Sequence, residues 1–317
     1  MIDTIKASMA IPKEGKILQV LENQRTIVNP QTRSKKITGK IKNISFHVHF
    51  NPDGKVCRVN FIGSLNKFIY DNNFVLSNRL DVKKAVKSLS NITGLPLHKA
   101  TLKRLDIGAC FIMKYPVTSY LLLLDGLQGR YKKTNIANET IYFFNGRRAF
   151  AFYDKIKENK KRKTLVPSDF NDKYVLRYEL RYYKALEEQF DMRKIIVSDL
   201  YDVKFYKLIK RRWRKGYFKI IKYRIQDLNK VRDLKSLSAF LTLNGIEKVG
   251  GLAKVISMID SFCLREKINP GGKHRLKKRI RELYSQRTTS IITKEVMELN
   301  KKVKAFGNIR KYEHGVN

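Results

Sequence analysis

Three short stretches hold residues able to act together on a phosphate: TLKRLDIGACFIM at 101–113, ETIYFFNGRRAFAFYDKIKEN at 139–159 and YVLRYELRYY at 174–183. Alternation in the first puts Leu105, Ile107, Ala109 and Phe111 on one face of a strand and Arg104, Asp106 and Gly108 on the other. In the last, Arg177, Glu179, Arg181 and Tyr183 share a face, with Leu176, Tyr178, Leu180 and Tyr182 opposite. Two carboxylates thus stand mid-strand among cations, and Tyr153 and Lys155 follow in FYDK. A tyrosine, two strand carboxylates and nearby Lys and Arg suit a metal-assisted attack on phosphate. The plainer reading is ion pairing: Asp106 with Arg104, and Glu179 with Arg177 or Arg181 across a sheet face.

The middle stretch predicts a hairpin, because Asn145-Gly146 suits a two-residue type I′ turn between apolar runs. That register pairs Tyr142 with Ala149 and Thr140 with Ala151, and puts Tyr153 on their face. Glu139 then falls on the opposite face, beside Phe152.

Upstream, IKNISFHVHF and KVCRVNFIG flank Asn51-Pro52-Asp53-Gly54, a second hairpin signal within a set of strands over residues 1–62. A two-residue Asp-Gly loop sets His47 opposite Asn60 and His49 opposite Arg58, with Phe46, Val48 and Phe50 on the other side. Two imidazoles two residues apart on a strand can chelate one cation if a third ligand joins them; otherwise they are polar residues on an outer face. Helices are predicted over Val82–Ile92, with Asp81 as N-cap and Gly94 ending it, and over Val117–Leu127 after Pro116. Irregular alternation of strands and helices gives an α+β fold, an antiparallel sheet-based domain over 1–190 followed by a basic, mostly helical region over 191–317.

The order RLD, then a hairpin ending in FYDKIKE, then LRYELR resembles the gene II/gene X replication proteins of filamentous phages. More distantly it is similar to rolling-circle initiators of staphylococcal-type plasmids. Gly63-Ser64-Leu65-Asn66-Lys67-Phe68, running on to Asn72-Asn73, matches the phage group too, although Asp71 stands where that pattern leads one to expect glycine. The resemblance covers roughly 60–190 and implies a DNA strand-nicking and rejoining enzyme of a phage or plasmid. It implies Tyr153 as nucleophile, giving a 5′-phosphotyrosine and a free 3′-OH, with Tyr142, Tyr182 and Tyr183 as alternatives. It implies Mg²⁺ or Mn²⁺ held by Asp106 and Glu179, with Glu139 and Glu158 in reserve, and Lys155 or Arg177 offsetting charge on the phosphate. A host helicase and polymerase are implied as partners.

Composition agrees with a polyanionic partner. The 317 residues hold 67 Lys and Arg against 28 Asp and Glu, a net +39 that attracts nucleic acid. LYDVKFYKLIKRRWRKGYFKIIK interleaves aromatics with Lys210, Arg211, Arg212, Arg214 and Lys215, able to neutralise phosphates and stack on bases, with Trp213 either stacking or anchoring a core. After a pair of helices around Gly250-Gly251 comes KHRLKKRIRELY, where Lys273, Lys277, Lys278 and Arg279 belong to a run of cations with no acid among them. The stretch IKENKKRKTLVPSDFNDK reads as a long basic loop. No apolar run approaches the ~20 residues of a spanning helix, and MIDTIKASMAIPKEGK lacks a charged leader before an apolar core, so a cytoplasmic location in a bacterial host is expected. Three scattered cysteines, Cys57, Cys110 and Cys263, argue against a disulfide framework or a cysteine-rich zinc site.

Overall fold

The computed structural model describes residues 1–11, 15–32, 34–127, 130–222, 231–265, 269–285 and 293–307. Its strands are β1 (Ile2–Ala10), β2 (Glu22–Val28), β3 (Lys35–Ile41), β4 (Ile44–Phe50), β5 (Val56–Ser64), β6 (Thr101–Met113), β7 (Leu124–Leu127), β8 (Lys132–Ile136), β9 (Thr140–Phe144), β10 (Arg148–Asp154), β11 (Tyr174–Tyr182) and β12 (Ile220–Lys222). Its α-helices are α1 (Ile17–Val20), α2 (Leu65–Tyr70), α3 (Arg79–Thr93), α4 (Val117–Leu121), α5 (Lys155–Lys161), α6 (Leu186–Phe190), α7 (Val203–Phe218), α8 (Leu234–Val249), α9 (Leu252–Arg265), α10 (Pro270–Ser285) and α11 (Lys294–Gly307). The chain divides into two compact units, residues 1–222 with 298–317, and residues 223–297.

The first unit is built on one antiparallel sheet of ten strands, ordered β2-β3-β4-β5-β1-β6-β11-β10-β9-β8. The α+β expectation holds: an antiparallel sheet comes first and a mostly helical region follows. At its centre both faces of β6, β10 and β11 are buried, so these strands read as nearly continuous buried runs. One face is apolar. Phe152 stacks on Tyr178 at 4.5 Å, Tyr178 meets Trp213 at 4.5 Å, and Trp213 meets Phe306 of α11 at 4.9 Å. Helix α7 lies on this face, and Gly216 lets it approach, since a Cβ there would stand 2.6 Å from the Phe150 ring. The other face carries the polar residues of the three chemistry-bearing stretches.

Several local expectations need correction. The Asn145-Gly146 hairpin pairs Phe144 with Ala149 and Tyr142 with Ala151, two residues off the type I′ register. The Asn145 side chain accepts from the N–H groups of Arg147 and Arg148 and props open a four-residue loop. Because the shift is even, Tyr153 still shares a face with Tyr142 and Thr140. Asn78, not Asp81, caps α3; Asp81 sits three residues in and returns the bond of a capping box. The helix expected over Val117–Leu127 stops at Leu121, and Leu124–Leu127 becomes a strand that finds its partner in β12. The basic stretch after Tyr153 begins as α5, because Asp154 accepts from the Lys157 N–H and caps it. Asp71 adopts φ 56° at the end of α2, the left-handed backbone that a glycine would supply without strain.

In the second unit, α8 and α9 flank Gly250 and Gly251, both at positive φ, and α10 carries the basic run. Among the described residues no helix is long and apolar enough to cross a membrane.

Candidate active site

Strand pairing brings the three stretches to one polar face. Glu179 lies opposite Gly108 on β6 and Ala151 on β10, Arg181 opposite Asp106, and Tyr153 opposite Arg177. The Tyr153 hydroxyl donates to Glu179 Oε1 at 2.8 Å. Arg177 Nε reaches the same oxygen at 2.5 Å, and Arg181 reaches Glu179 Oε2 at 2.6 Å. Gly108 makes the space: a Cβ there would lie 2.8 Å from Glu179 Cγ and 3.1 Å from the Arg177 guanidinium.

Arg177 joins this cluster to the upstream motif. Its guanidinium also donates to Asp3 at 2.6 Å and to the Asn73 carbonyl at 2.6 Å. Ser64 donates to Asp3 and caps α2, and Asn73 donates to Asp3 at 3.4 Å. Ser64 and Asn73, from the stretch that carries the upstream motif, therefore hold Asp3 and Arg177, and through Arg177 they brace Glu179. Asp3 escaped the sequence reading. Its only local signal is a carboxylate set between Ile2 and Ile5 on a strand.

Tyr153 is 6% exposed. Lys155, first residue of α5, is buried with its ammonium 5.4 Å from the Phe74 ring centre and 6.0 Å from that of Tyr153, and it pairs with Glu158 at 2.6 Å. Phe74 packs on Phe170 at 4.8 Å. Burial, with the Glu179 charge beside it, pushes the Tyr153 phenol well above its ordinary pKa. Burial also opposes ionisation of Glu179, but Arg181 and Arg177 outweigh it and hold the carboxyl below the usual range. Burial and the neighbouring Arg177 lower Lys155.

Asp106 lies on the same face, two residues along β6 from the partner of Glu179. Arg104 grips both its oxygens, at 2.9 and 2.6 Å. Burial pushes the carboxyl up to about 6 despite that partner. Beyond it the face opens: Tyr142 and Tyr183 are half-buried, under the guanidiniums of Arg181 at 5.5 Å and Arg104 at 4.8 Å. Tyr182 is buried on the apolar face. Glu139 instead pairs with Lys157 and Lys161 beside α5.

A divalent ion needs carboxylate oxygens with capacity to spare. Both oxygens of Asp106 and of Glu179 are already engaged by guanidiniums, and no group of three His, Cys, Asp or Glu gathers among the described residues. As arranged, this donor set does not fit such an ion; one could enter only by displacing an arginine. His47 and His49 take the registers expected of them, opposite Asn60 and Arg58. Burial and the Lys36 ammonium lower both imidazoles, and His49 lies 3.0 Å from the Asn60 amide.

The residues expected to touch DNA divide sharply. Arg177 is buried inside the network and Lys210 is buried on α7. Arg212 donates to the Gln189 carbonyl and covers Phe190, Arg214 is half-buried, and Arg211 is exposed. Trp213 has no exposed surface and is a core anchor, which excludes it as a base-stacking platform in this fold. On α10, Lys273 and Lys277 both pair with Asp260 at 2.6 Å, while Lys278 and Arg279 are exposed.

No curated protein matches the chain. A solved structure, the di-domain ARO/CYC StfQ from the steffimycin biosynthetic pathway, is 8% identical over 69% of this chain and 96% of its own, at a TM-score of 0.21 that supports no argument. Residues 1–201 match the family described as the N-terminal part of the phage replication-associated gene II protein, and they span the whole network from Asp3 to Arg181. On that match the chain belongs to the gene II protein family of phage replication-associated proteins.

Proposed function

We propose that this protein is a rolling-circle replication initiator that nicks and rejoins one DNA strand at a phage or plasmid origin, with Tyr153 as its nucleophile. The observation that carries this reading is the Tyr153 hydroxyl bonded to Glu179 at 2.8 Å on a face where two arginines converge. In the reaction the phenolic oxygen attacks phosphorus, its proton passes to Glu179, and the bond to the 3′ oxygen breaks, with that oxygen taking up a proton from solvent. The product is a 5′-phosphotyrosine and a 3′-OH, and the reverse attack rejoins the strand.

In the DNA-free arrangement Glu179 is a weak base and Tyr153 a weak acid. A phosphate entering the cluster competes for Arg177 and Arg181, which frees Glu179 to accept the proton while the guanidiniums stabilise charge building on the phosphate. The Lys155 ammonium adds to that stabilisation. Entry requires Tyr153, 6% exposed with the Lys155 ammonium 6.0 Å from its ring centre, to be uncovered. A requirement for Mg²⁺ or Mn²⁺ is left to the test below, because Asp106 and Glu179, the carboxylates expected to hold it, are both engaged by guanidiniums and would have to be released first. Family membership supports DNA as the partner; a host helicase and polymerase would then extend the freed 3′ end.

A second reading rests on exposure. Tyr142 shares the face, is half-buried where Tyr153 is covered, and lies under Arg181, so it is the alternative nucleophile. The test is incubation with supercoiled circular DNA from the element that encodes the protein, with Mg²⁺, Mn²⁺ or EDTA, for wild type, Tyr153→Phe and Tyr142→Phe. Products are resolved with and without protease. Nicking with attached protein, lost only in Tyr153→Phe, supports the reading; nicking without adduct points to hydrolysis, and binding without nicking to a non-catalytic DNA-binding protein.

A further inference from the structure

On the side of the sheet away from Tyr153, a cavity of about 430 Å³ opens between α7 and strands β10 and β11. Its floor is Phe150 and Leu180, and its rim is cationic: Arg148 from β10 and Arg211, Arg212, Lys215 and Lys219 from α7 and its C-cap. None of its lining residues is acidic. Arg211, Lys215 and Lys219 recur every four residues, so they form one stripe along the helix. Among the described residues none of those three has a carboxylate within ion-pair distance. Arg148 is already oriented, its Nε donating to the Tyr131 hydroxyl and its guanidinium 5.8 Å from that ring's centre.

A cavity edged by five cations and no acid is an anion site in search of a charge. Its size is that of a pocket for one small organic group, room for a nucleotide and too little for a duplex. The half-buried Tyr131 ring at its wall offers a surface on which a base can stack. The strand registers separate it from the candidate active site, because Arg148, Phe150 and Phe152 point to the face opposite Tyr153.

We propose that this cavity is a phosphodiester-binding pocket that holds one single-stranded segment of DNA apart from the nicking face. The proposal rests on the nucleic-acid reading above and deepens it: the strand that leaves Tyr153 has a second place to bind on the same protein.

The test is fluorescence anisotropy of labelled dT12 between 50 and 300 mM salt, with the Tyr153→Phe protein as reference so that no covalent capture contributes. Arg211→Glu/Lys215→Glu is compared in that background, as is Arg211→Ala/Lys215→Ala, with thermal melts confirming that each stays folded. Both positions are exposed on α7. The charge reversal is expected to weaken binding at least about tenfold, and the double alanine variant to flatten the log–log salt dependence by roughly 1.4, the value for two lost single-strand phosphate contacts. Affinity and salt slope unchanged in both variants would overturn the pocket while leaving the nicking proposal intact. Displacement of dT12 by equal concentrations of dTTP or inorganic phosphate would also overturn it, making this a free-nucleotide or phosphate site. Failure of dT12 to bind the reference protein would sink the nucleic-acid reading and the pocket together.

Discussion

The polar face of the sheet and the cationic faces of α7 and, in the second unit, of α10 use the same residue types under opposite rules. On the sheet, each of these guanidiniums, buried at Arg177 and half-buried at Arg104 and Arg181, has a carboxylate: Arg104 with Asp106, Arg177 with Asp3 and Glu179, Arg181 with Glu179. On α7 and α10, Arg211, Lys215, Lys278 and Arg279 stand exposed with no such partner among the described residues. The difference is dielectric. A buried charge without a partner costs several kcal/mol, whereas a surface charge costs almost nothing and is left available to a phosphate. Geometry is specified in the first region and affinity is accumulated in the second.

Removing one charge from each region should expose that contrast. Glu179→Gln leaves Arg177 and Arg181 facing one another without their shared carboxylate, and is expected to lower unfolding free energy by about 3–5 kcal/mol. In protein still folded, it should slow nicking by ~10²–10⁴-fold. Urea denaturation and a nicking time course read the two effects; a stable, fully active variant would erase the distinction between the regions.

Asp106 sharpens the comparison through pH. Its carboxyl is raised from 3.8 to about 6 by burial, so the native state favours the protonated form. Its contribution to stability is fully present below about pH 4 and lost as pH rises through 6, worth up to roughly 3 kcal/mol. Glu179 has the opposite sign: held below the carboxylate range, it stabilises above its unfolded pKa and loses that contribution as pH falls. Denaturation of wild type and Asp106→Asn at pH 4 and pH 7 isolates the first effect. The gap between the two proteins should shift toward the variant at pH 7, and an identical gap at both pH values would show that Asp106 is not buried as described.

Smaller effects follow from space and from surface charge. Gly108→Ala intrudes on Glu179 and Arg177 and should cost about 1–3 kcal/mol, measured by thermal melting. Lys278→Ala/Arg279→Ala should change stability by less than about 0.5 kcal/mol. It should also reduce the log–log salt slope of duplex binding by roughly 1.8, the value for two lost phosphate contacts.

Much of the site was legible because strand periodicity is strict. Alternation alone put Asp106 with Gly108, and Glu179 with Arg177 and Arg181, on shared faces. His47 and His49 take the expected partners although the turn closes between Asn51 and Lys55 instead of as a two-residue Asp53-Gly54 loop, because an irregularity between His49 and Phe50 restores the pairing. What stayed hidden depends on contacts remote in sequence or on side chains that redirect a turn. The Arg177–Asp3 pair spans 174 residues, and nothing in YVLRYELRYY announces it. Asn145 gave the right turn residue and the wrong register, because its backbone N–H bonds the Arg148 carbonyl while its side chain takes the N–H groups of Arg147 and Arg148, which widens the loop. Asp154 sits between Tyr153 and Lys155 in FYDK, and it is the cap that turns a charged stretch into α5. Trp213 lay among cations in a run open to either stacking or a core anchor, and its burial settles it as a core anchor on the apolar side of an amphipathic helix.

The most direct measurement is to trap the protein on a labelled origin strand, digest it, and identify by mass spectrometry the peptide bearing the 5′ nucleotide. The account predicts a phosphotyrosine at Tyr153 and no adduct from Tyr153→Phe. A nucleotide on Tyr142, or an adduct that persists in Tyr153→Phe, would contradict the assignment of the nucleophile, and origin cleavage with no nucleotide on any tyrosine would contradict the covalent mechanism itself.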